Sequence, residues 1–270
     1  MKIIDLSVEI DNKNPSEEVK TKIKYIPHKK GALLLGLSSI FNRNQKMFVQ
    51  FPSMLKKILF CRVLNHKSFI NNEGLSTEFV RITSHTGTHI DSPYHYSKRG
   101  IKISEANLET FYNKGVLFDF SNRELTTPLQ LIEVIDYIEK NKIDIQANNI
   151  ILFYTGASKN YGVKEYLTSY YGISEEVLQF LLSRGIKVIG TDAFSLDQPF
   201  DYMNAKYEES GDKRNLWPIH MKGSYDPFFM IEKLNNLDQL VKIENFKIIA
   251  LPIKLKDASA SWSRVVAIVE

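Results

Sequence analysis

The sequence offers little from which to build anything but an ordinary apolar core. It has a single cysteine, Cys61. That excludes an internal disulfide framework and a cysteine-built zinc site, and makes the reducing cytoplasm the expected compartment. Long hydrophobic runs are missing too: GALLLGL at 31–37 falls far short of the ~20 apolar residues that span a bilayer. The N-terminal MKIIDLSVEID reaches acidic residues before any apolar core of signal-peptide length. The expectation is an unprocessed protein with no membrane partner. Neither sign of charge dominates, since 35 Lys and Arg are mixed with 31 Asp and Glu for a formal net charge of +4. This balance argues against nucleic acid as a partner. No Pro/Gly/Ser-rich linker, low-complexity tract or fixed-period repeat divides the 270 residues, which predicts a single domain over 1–270.

What is present reads as strands and helices in alternation. KIIDLSV, EFVRIT, GVLFDF, NIILFYT, IKVIGT, FKIIALPI and RVVAIV are short apolar runs bounded by polar or turn residues, as buried strands are. Between them, Pro128 to Lys140 has a helical pattern, with Thr127 as cap, Pro128 in the first turn and an apolar face of Leu131, Ile132, Ile135 and Ile138. A second helix is expected from Ser174 to Arg184, ending at Gly185. Interspersed strands and helices define an α/β class. A helical insertion is expected around 29–72, where SMLKKILFCRVLNHK puts Leu55, Ile58, Leu59, Val63 and Leu64 at helix spacing behind a Ser53 cap.

Histidine is scarce as well, yet three of the six lie in SHTGTHIDSPYHYS, 84–97. Gly87, Pro93 and the β-branched Thr86, Thr88 and Ile90 oppose a helix there. His85, His89, Asp91 and His95 share the same parity, so an extended chain would place all four on one face. A straight strand would still hold His85 and His89 about 13 Å apart, whereas two ligands of one ion sit about 3 to 4 Å apart. The chain must therefore curl, and Gly87 permits it. Imidazoles with a carboxylate suit zinc, manganese or iron better than calcium or copper(I).

The stretch fits H-x-G-T-H-x-D-x-P-x-H and resembles the signature of the metal-dependent cyclase/hydrolase family typified by bacterial kynurenine formamidase. DLS near the N-terminus, GTDAFSLDQP at 190–199, IEKLNNLDQL at 231–240 and the terminal ASASWSRVVAI resemble family segments in the expected order. The resemblance implies that His85 and His89 bind one metal, that Asp91 bridges two, and that His95 is the catalytic acid/base. It further implies that His220 and Glu232, twelve residues apart, complete the ligand set. The expected cofactor is a divalent metal, one or two zinc ions, or manganese. Asp192 and Asp197 are expected behind the ligands, while Arg264, His28 and Trp217 are candidates for substrate or supporting contacts. His66 is read as an exposed residue. Phe51, Tyr94, Phe194 and Trp217 lie near motif segments and would form either an aromatic wall or core.

The fold implied is a layered, swivelling β/β/α type whose mixed, curled sheet surrounds the metal site, in a homodimer or homotetramer. The activity implied is hydrolysis of a small amide, lactone or ester carbonyl, with metal-bound hydroxide as nucleophile and His95 handling the proton. An alternative is a metal-dependent cyclase or dehydratase. A further alternative is a non-catalytic metal- or ligand-binding protein in which His95 itself binds the ion. The length between His28 and Phe79 sets the chain apart from compact formamidases and points to the longer branch of the family.

Overall fold

Strands form where the sequence runs apolar and helices where it becomes amphipathic, but several boundaries are decided by neighbours. A computed structural model describes residues 1–40, 64–124 and 127–269. By their contacts the residues divide into two units, one of Met1–Thr21 with Ile82–Glu270 and one of Lys22–Arg81. In the smaller unit, β2 (Lys22–Ile26) pairs antiparallel with β3 (Thr77–Arg81), and α1 spans His28–Ile40. Gly31 lets that helix lie on its own unit's backbone, since a Cβ there would fall 1.7 Å from the Leu75 carbonyl oxygen. The helix expected over 53–67 lies largely outside the described residues. His66 belongs to a short 3-10 turn, His66–Ser68, and is half-buried.

The larger unit holds a nine-stranded mixed sheet in the order β1-β11-β9-β5-β6-β7-β8-β4-β10. Its strands are β1 (Lys2–Asp5), β4 (His89–Asp91), β5 (Tyr112–Asp119), β6 (Ile150–Tyr154), β7 (Val188–Thr191), β8 (Phe229–Glu232), β9 (Phe246–Ile249), β10 (Ala260–Trp262) and β11 (Val266–Val269). The central four, β5 to β8, run parallel, and the pairings on either side are antiparallel. β6 reads IILFY, without alternation, because both of its faces are covered and all five residues are buried.

Those two faces feed two cores. On one, Ile151, Phe153, Phe118 and Ile189 pack with Val134 of α2 (Leu131–Asn141) and with Val177, Leu178 and Leu181 of α3 (Glu175–Ser183). On the other, Ile150, Leu152 and Ile231 share a core with Ile4, Ile248 and Ala267 from one flank of the sheet and with Ile90 from the other. Strands near opposite flanks can meet over one face only if the sheet curls. The result is an α/β fold with helices on the outer side of a curled mixed sheet.

Two sequence expectations need correction. α2 starts at Leu131 with Gln130 as its cap, not at Pro128 behind Thr127. The reason is that Leu129 makes a parallel bridge to Ile173, which keeps the chain extended through the expected first turn. Thr127 instead accepts a hydrogen bond from Arg123, and Ile132, assigned to the apolar face, is exposed while Val134 is fully buried. The second correction is at 84–97, which is not one curled strand. Only His89–Asp91 is strand; His85 lies in the turn before it and His95 ends a 3-10 turn, Pro93–His95.

Candidate metal centre

β4 is short but sits between β8 and β10, and this position builds the site. His89 and Asp91, two residues apart, project to one face, and the register places His89 opposite Glu232 at the end of β8. Gly87 takes φ +66°, turning the chain so that His85 folds back over β4. After Asp91, Pro93 opens the 3-10 turn that delivers His95. His220 comes from α5 (Pro218–Gly223), which follows α4 (Phe200–Ser210).

Asp91 stands at the centre. His85 Nδ1 lies 2.9 Å and His89 Nε2 3.4 Å from its Oδ1, while His220 Nε2 lies 3.8 Å and His95 Nε2 4.0 Å from its Oδ2. Glu232 Oε2 is 3.4 Å from His89 Nε2. Two groups of ligand atoms result, His85/Asp91/His95 and His89/Asp91/Glu232, each within a span of 4.8 Å. Despite this crowding, both oxygens of Asp91 and Oε1 of Glu232 are buried without a hydrogen-bond partner. Buried carboxylate oxygens left in that state are costly. His85 Nδ1 and His89 Nε2 also lie 3.3 Å apart, and imidazole with carboxylate is a donor set suited to a divalent transition ion. The residues therefore fit a metal ion.

Supporting contacts aim the nitrogens. His89 Nδ1 is 2.8 Å from the Gly87 carbonyl, which turns Nε2 toward Asp91 and Glu232. Asp197 does the same for His220: its Oδ2 is 2.5 Å from Nδ1, and its two oxygens also accept the backbone N–H groups of Ile219 and His220. Burial alone would lower the pKa of both histidines. The Asp91 and Glu232 carboxylates around His89, and Asp197 and Asp91 around His220, reverse this and push the rings up to about 9 and about 10. Burial raises Asp91, but the His89 charge and the contacts from His220 and His85 hold it well below the usual carboxylate range. His95 is shifted down, by burial first and then by the nearby His85 and His220 against the pull of Asp91. It is also the most open of the four histidines around Asp91, with its side chain 34% exposed.

The site opens into a cavity of about 360 Å³ lined by these histidines and carboxylates together with Tyr170, Phe194, Phe200, Met203 and Trp217. Trp217 and Phe200 meet at 5.5 Å between ring centroids. Gln198 also lines it, with a buried amide nitrogen that has no partner. Of the other candidates, Tyr94 lies beneath Lys102, 5.7 Å from its ring centroid, and Phe51 is outside the described residues. Asp192 is buried at the end of β7, but its carboxylate accepts from Thr155 and Ser158, so it secures the turn after β6 and supports no histidine. Arg264 is an exposed residue paired with Asp5 through two nitrogens. His28 begins α1 and is exposed. Glu232, which taken alone reads as a helix residue facing solvent, is a buried strand residue instead.

Sequence reasoning passed over Glu17, Lys233, Tyr170, Gln198, Phe200 and Met203. Lys233 follows a ligand directly, which is a usable signal; Glu17 lies about seventy positions from the motif and carries none.

A curled mixed sheet presents, to a cavity with aromatic lining, a histidine and carboxylate cluster that could hold a metal ion. Residues 4–198 match the Cyclase family model, described as "Putative cyclase", and the chain belongs to that family. Among its relatives, a kynurenine formamidase of Bacillus thuringiensis (strain Al Hakam) is 27% identical over 189 residues, 69% of this chain and 77% of the relative. A kynurenine formamidase of Bacillus mycoides (strain KBAB4) is 26% identical over 198 residues, 73% and 81% respectively. The fold is similar to that of an isatin hydrolase bound to the product analogue thioisatinate, with a TM-score of 0.72 at 16% identity, covering 100% of this chain and 93% of that one. Isatin hydrolase A from Labrenzia aggregata, bound to benzyl benzoate, gives a TM-score of 0.70 at 20% identity, covering 100% and 94%.

Proposed function

We propose that the chain is a metal-dependent hydrolase of a small amide, lactone or ester, with zinc, or manganese, held by His85, His89, Asp91, His220 and Glu232. The observation that carries this reading is the pair of ligand groups sharing Asp91, whose carboxylate oxygens are buried with no hydrogen-bond partner at the edge of an open cavity. Kynurenine formamidases among the relatives, and isatin hydrolases among proteins of the same fold, support hydrolysis at a carbonyl. The chemistry a divalent ion supplies in such a site is polarisation of a carbonyl and acidification of water.

The chain's own residues do the rest. Tyr170, Phe194, Phe200 and Trp217 present flat apolar surface that orients a planar substrate and excludes water. His95 faces the cavity from beside Asp91, and its lowered pKa keeps the ring neutral near pH 7. It takes a proton at Nε2 from the water whose oxygen bonds to the carbonyl carbon, and gives it to the leaving nitrogen or oxygen as that atom's bond to the carbon breaks. The homodimer or homotetramer and the cytoplasmic location belong to the same reading, and sedimentation tests the first of these.

Metal analysis of the purified protein, followed by a hydrolysis screen over aryl formamides, cyclic amides and lactones, tests the reading. His95→Ala is expected to keep its metal and lose about 10²–10⁴-fold in turnover. Full activity in that variant would exclude the role given to His95. One observation favours a second reading, because His95 shares a ligand group with His85 and Asp91. If His95 binds the ion, the same variant loses metal, and the site is then closed and structural.

A further inference from the structure

Glu17 and Lys233 form an ion pair that the proposed chemistry does not use. Lys233 Nζ lies 2.6 Å from Glu17 Oε2, and the two side chains are only 3% and 4% exposed. Charges this deep need hydrogen-bond partners beyond each other, and the turn carrying His85 supplies one to each. Lys233 Nζ donates to the His85 carbonyl at 2.9 Å. Glu17 Oε1 accepts the Gly87 N–H at 2.9 Å and the Tyr161 hydroxyl at 3.0 Å. The pair thus grips the turn at both ends, by the carbonyl of His85 and the amide of Gly87. Gly87's own carbonyl is the partner of His89 Nδ1.

Lys233 is fixed from its backbone as well. It follows Glu232 directly and stands at φ +59°, a left-handed conformation disfavoured for a residue with a Cβ. Its N–H donates to the Ala193 carbonyl at 3.1 Å, and its carbonyl accepts from Thr88 Oγ1 at 2.6 Å. One ion pair therefore joins the His85–His89 segment to Glu232, which lies far along the chain.

We propose that Glu17 and Lys233 are positioning residues that lock the His85–Gly87 turn against the end of β8 and so pre-set His85 and His89 for a metal ion. Neither touches reacting atoms; both act through the ligands. The inference rests on the metal-centre reading above.

The test compares the parent with Lys233→Met, Glu17→Gln and the double variant Glu17→Gln/Lys233→Met. The double variant leaves no unpaired buried charge, so it remains informative where a single variant fails to fold. Zinc affinity is measured by chelator competition, and folding by circular dichroism and the Tm of the metal-free form. The expected result is a folded double variant with zinc affinity reduced about 10–100-fold, the range seen when outer partners of metal ligands are removed. Glu17→Gln, which keeps an acceptor for Gly87, should lose less. A folded double variant that binds zinc within about twofold of the parent would overturn the proposal. So would a double variant that cannot fold, because the pair would then hold the fold and not the turn. A parent that takes up no zinc would instead overturn the metal-centre reading, and this proposal with it.

Discussion

Asp91 has four imidazoles within 4.0 Å and is buried, yet neither of its oxygens accepts a hydrogen bond. A carboxylate in that position is stable only beside positive charge. Asp91→Asn keeps the volume and removes the charge. It is expected to lower metal affinity by at least the roughly 10–100-fold seen for outer partners, and elemental analysis would read this as lost metal. Protons take the ion's place in the metal-free protein. His89, pushed up to about 9, and His220, pushed up to about 10, both lie above the ~6.5 of an unfolded histidine. Because the folded values are raised, this stabilisation is complete below pH ~6.5 and is lost as pH rises through about 9 and 10. The Tm of the metal-free protein should fall across that interval while apparent metal affinity rises, since ligand nitrogens no longer have protons to lose. A metal-free Tm that climbs over the same range would contradict the geometry.

At the scale of elements, two substitutions should behave in opposite ways. Gly87 stands at φ +66°, and a Cβ there would come 3.0 Å from Ile10 Cγ1. Gly87→Ala is expected to cost about 1–2 kcal/mol of stability and to weaken metal binding, because a side chain at this φ would strain the turn that folds His85 over β4. Ser174 caps α3 through the Val177 N–H. Ser174→Ala should cost about 1 kcal/mol in a urea titration and leave metal content unchanged. α3 was legible because its cap, its apolar spacing and Gly185 are all local signals. The start of α2 was not, because the Leu129–Ile173 bridge that delays it links residues 44 positions apart. β8 and β10 carried no such local signal: FMIE ends in a charged residue, ASW has only three residues, and both are defined by pairing, β8 with β7 and β4, and β10 with β4.

For the molecule as a whole, the core is built apart from the proposed metal site. The sheet has a core on each face, built from residues such as Phe118, Phe153, Leu152 and Ile231 that are almost wholly buried and need no ion. Removing metal with a chelator is therefore expected to lower the Tm while leaving a cooperative transition. The loss should follow mass action, about 2.7 kcal/mol for an ion held at a hundred times its Kd. Unfolding on chelation alone would mean that the ion is part of the scaffold, and would favour the structural reading of the site. Among the described residues no helix is long and apolar enough to cross a membrane.

The sequence by itself determined the α/β class, most of the strands, the helix from Ser174, the body but not the start of the helix expected from Pro128, and the crowding of histidine and aspartate between 85 and 95. Those depend on period, composition and local turn chemistry, which are properties of neighbouring residues. Only the tertiary structure decided that the motif splits into turn, strand and 3-10 turn, that Asp192 and Arg264 serve other contacts, and that Glu17 and Lys233 pair against the His85–Gly87 turn. These are matters of which distant segments share the low-dielectric interior. There, a buried charge must find its partner across the fold, and nothing in the spacing of Glu17 and Lys233 along the chain announces that they will meet.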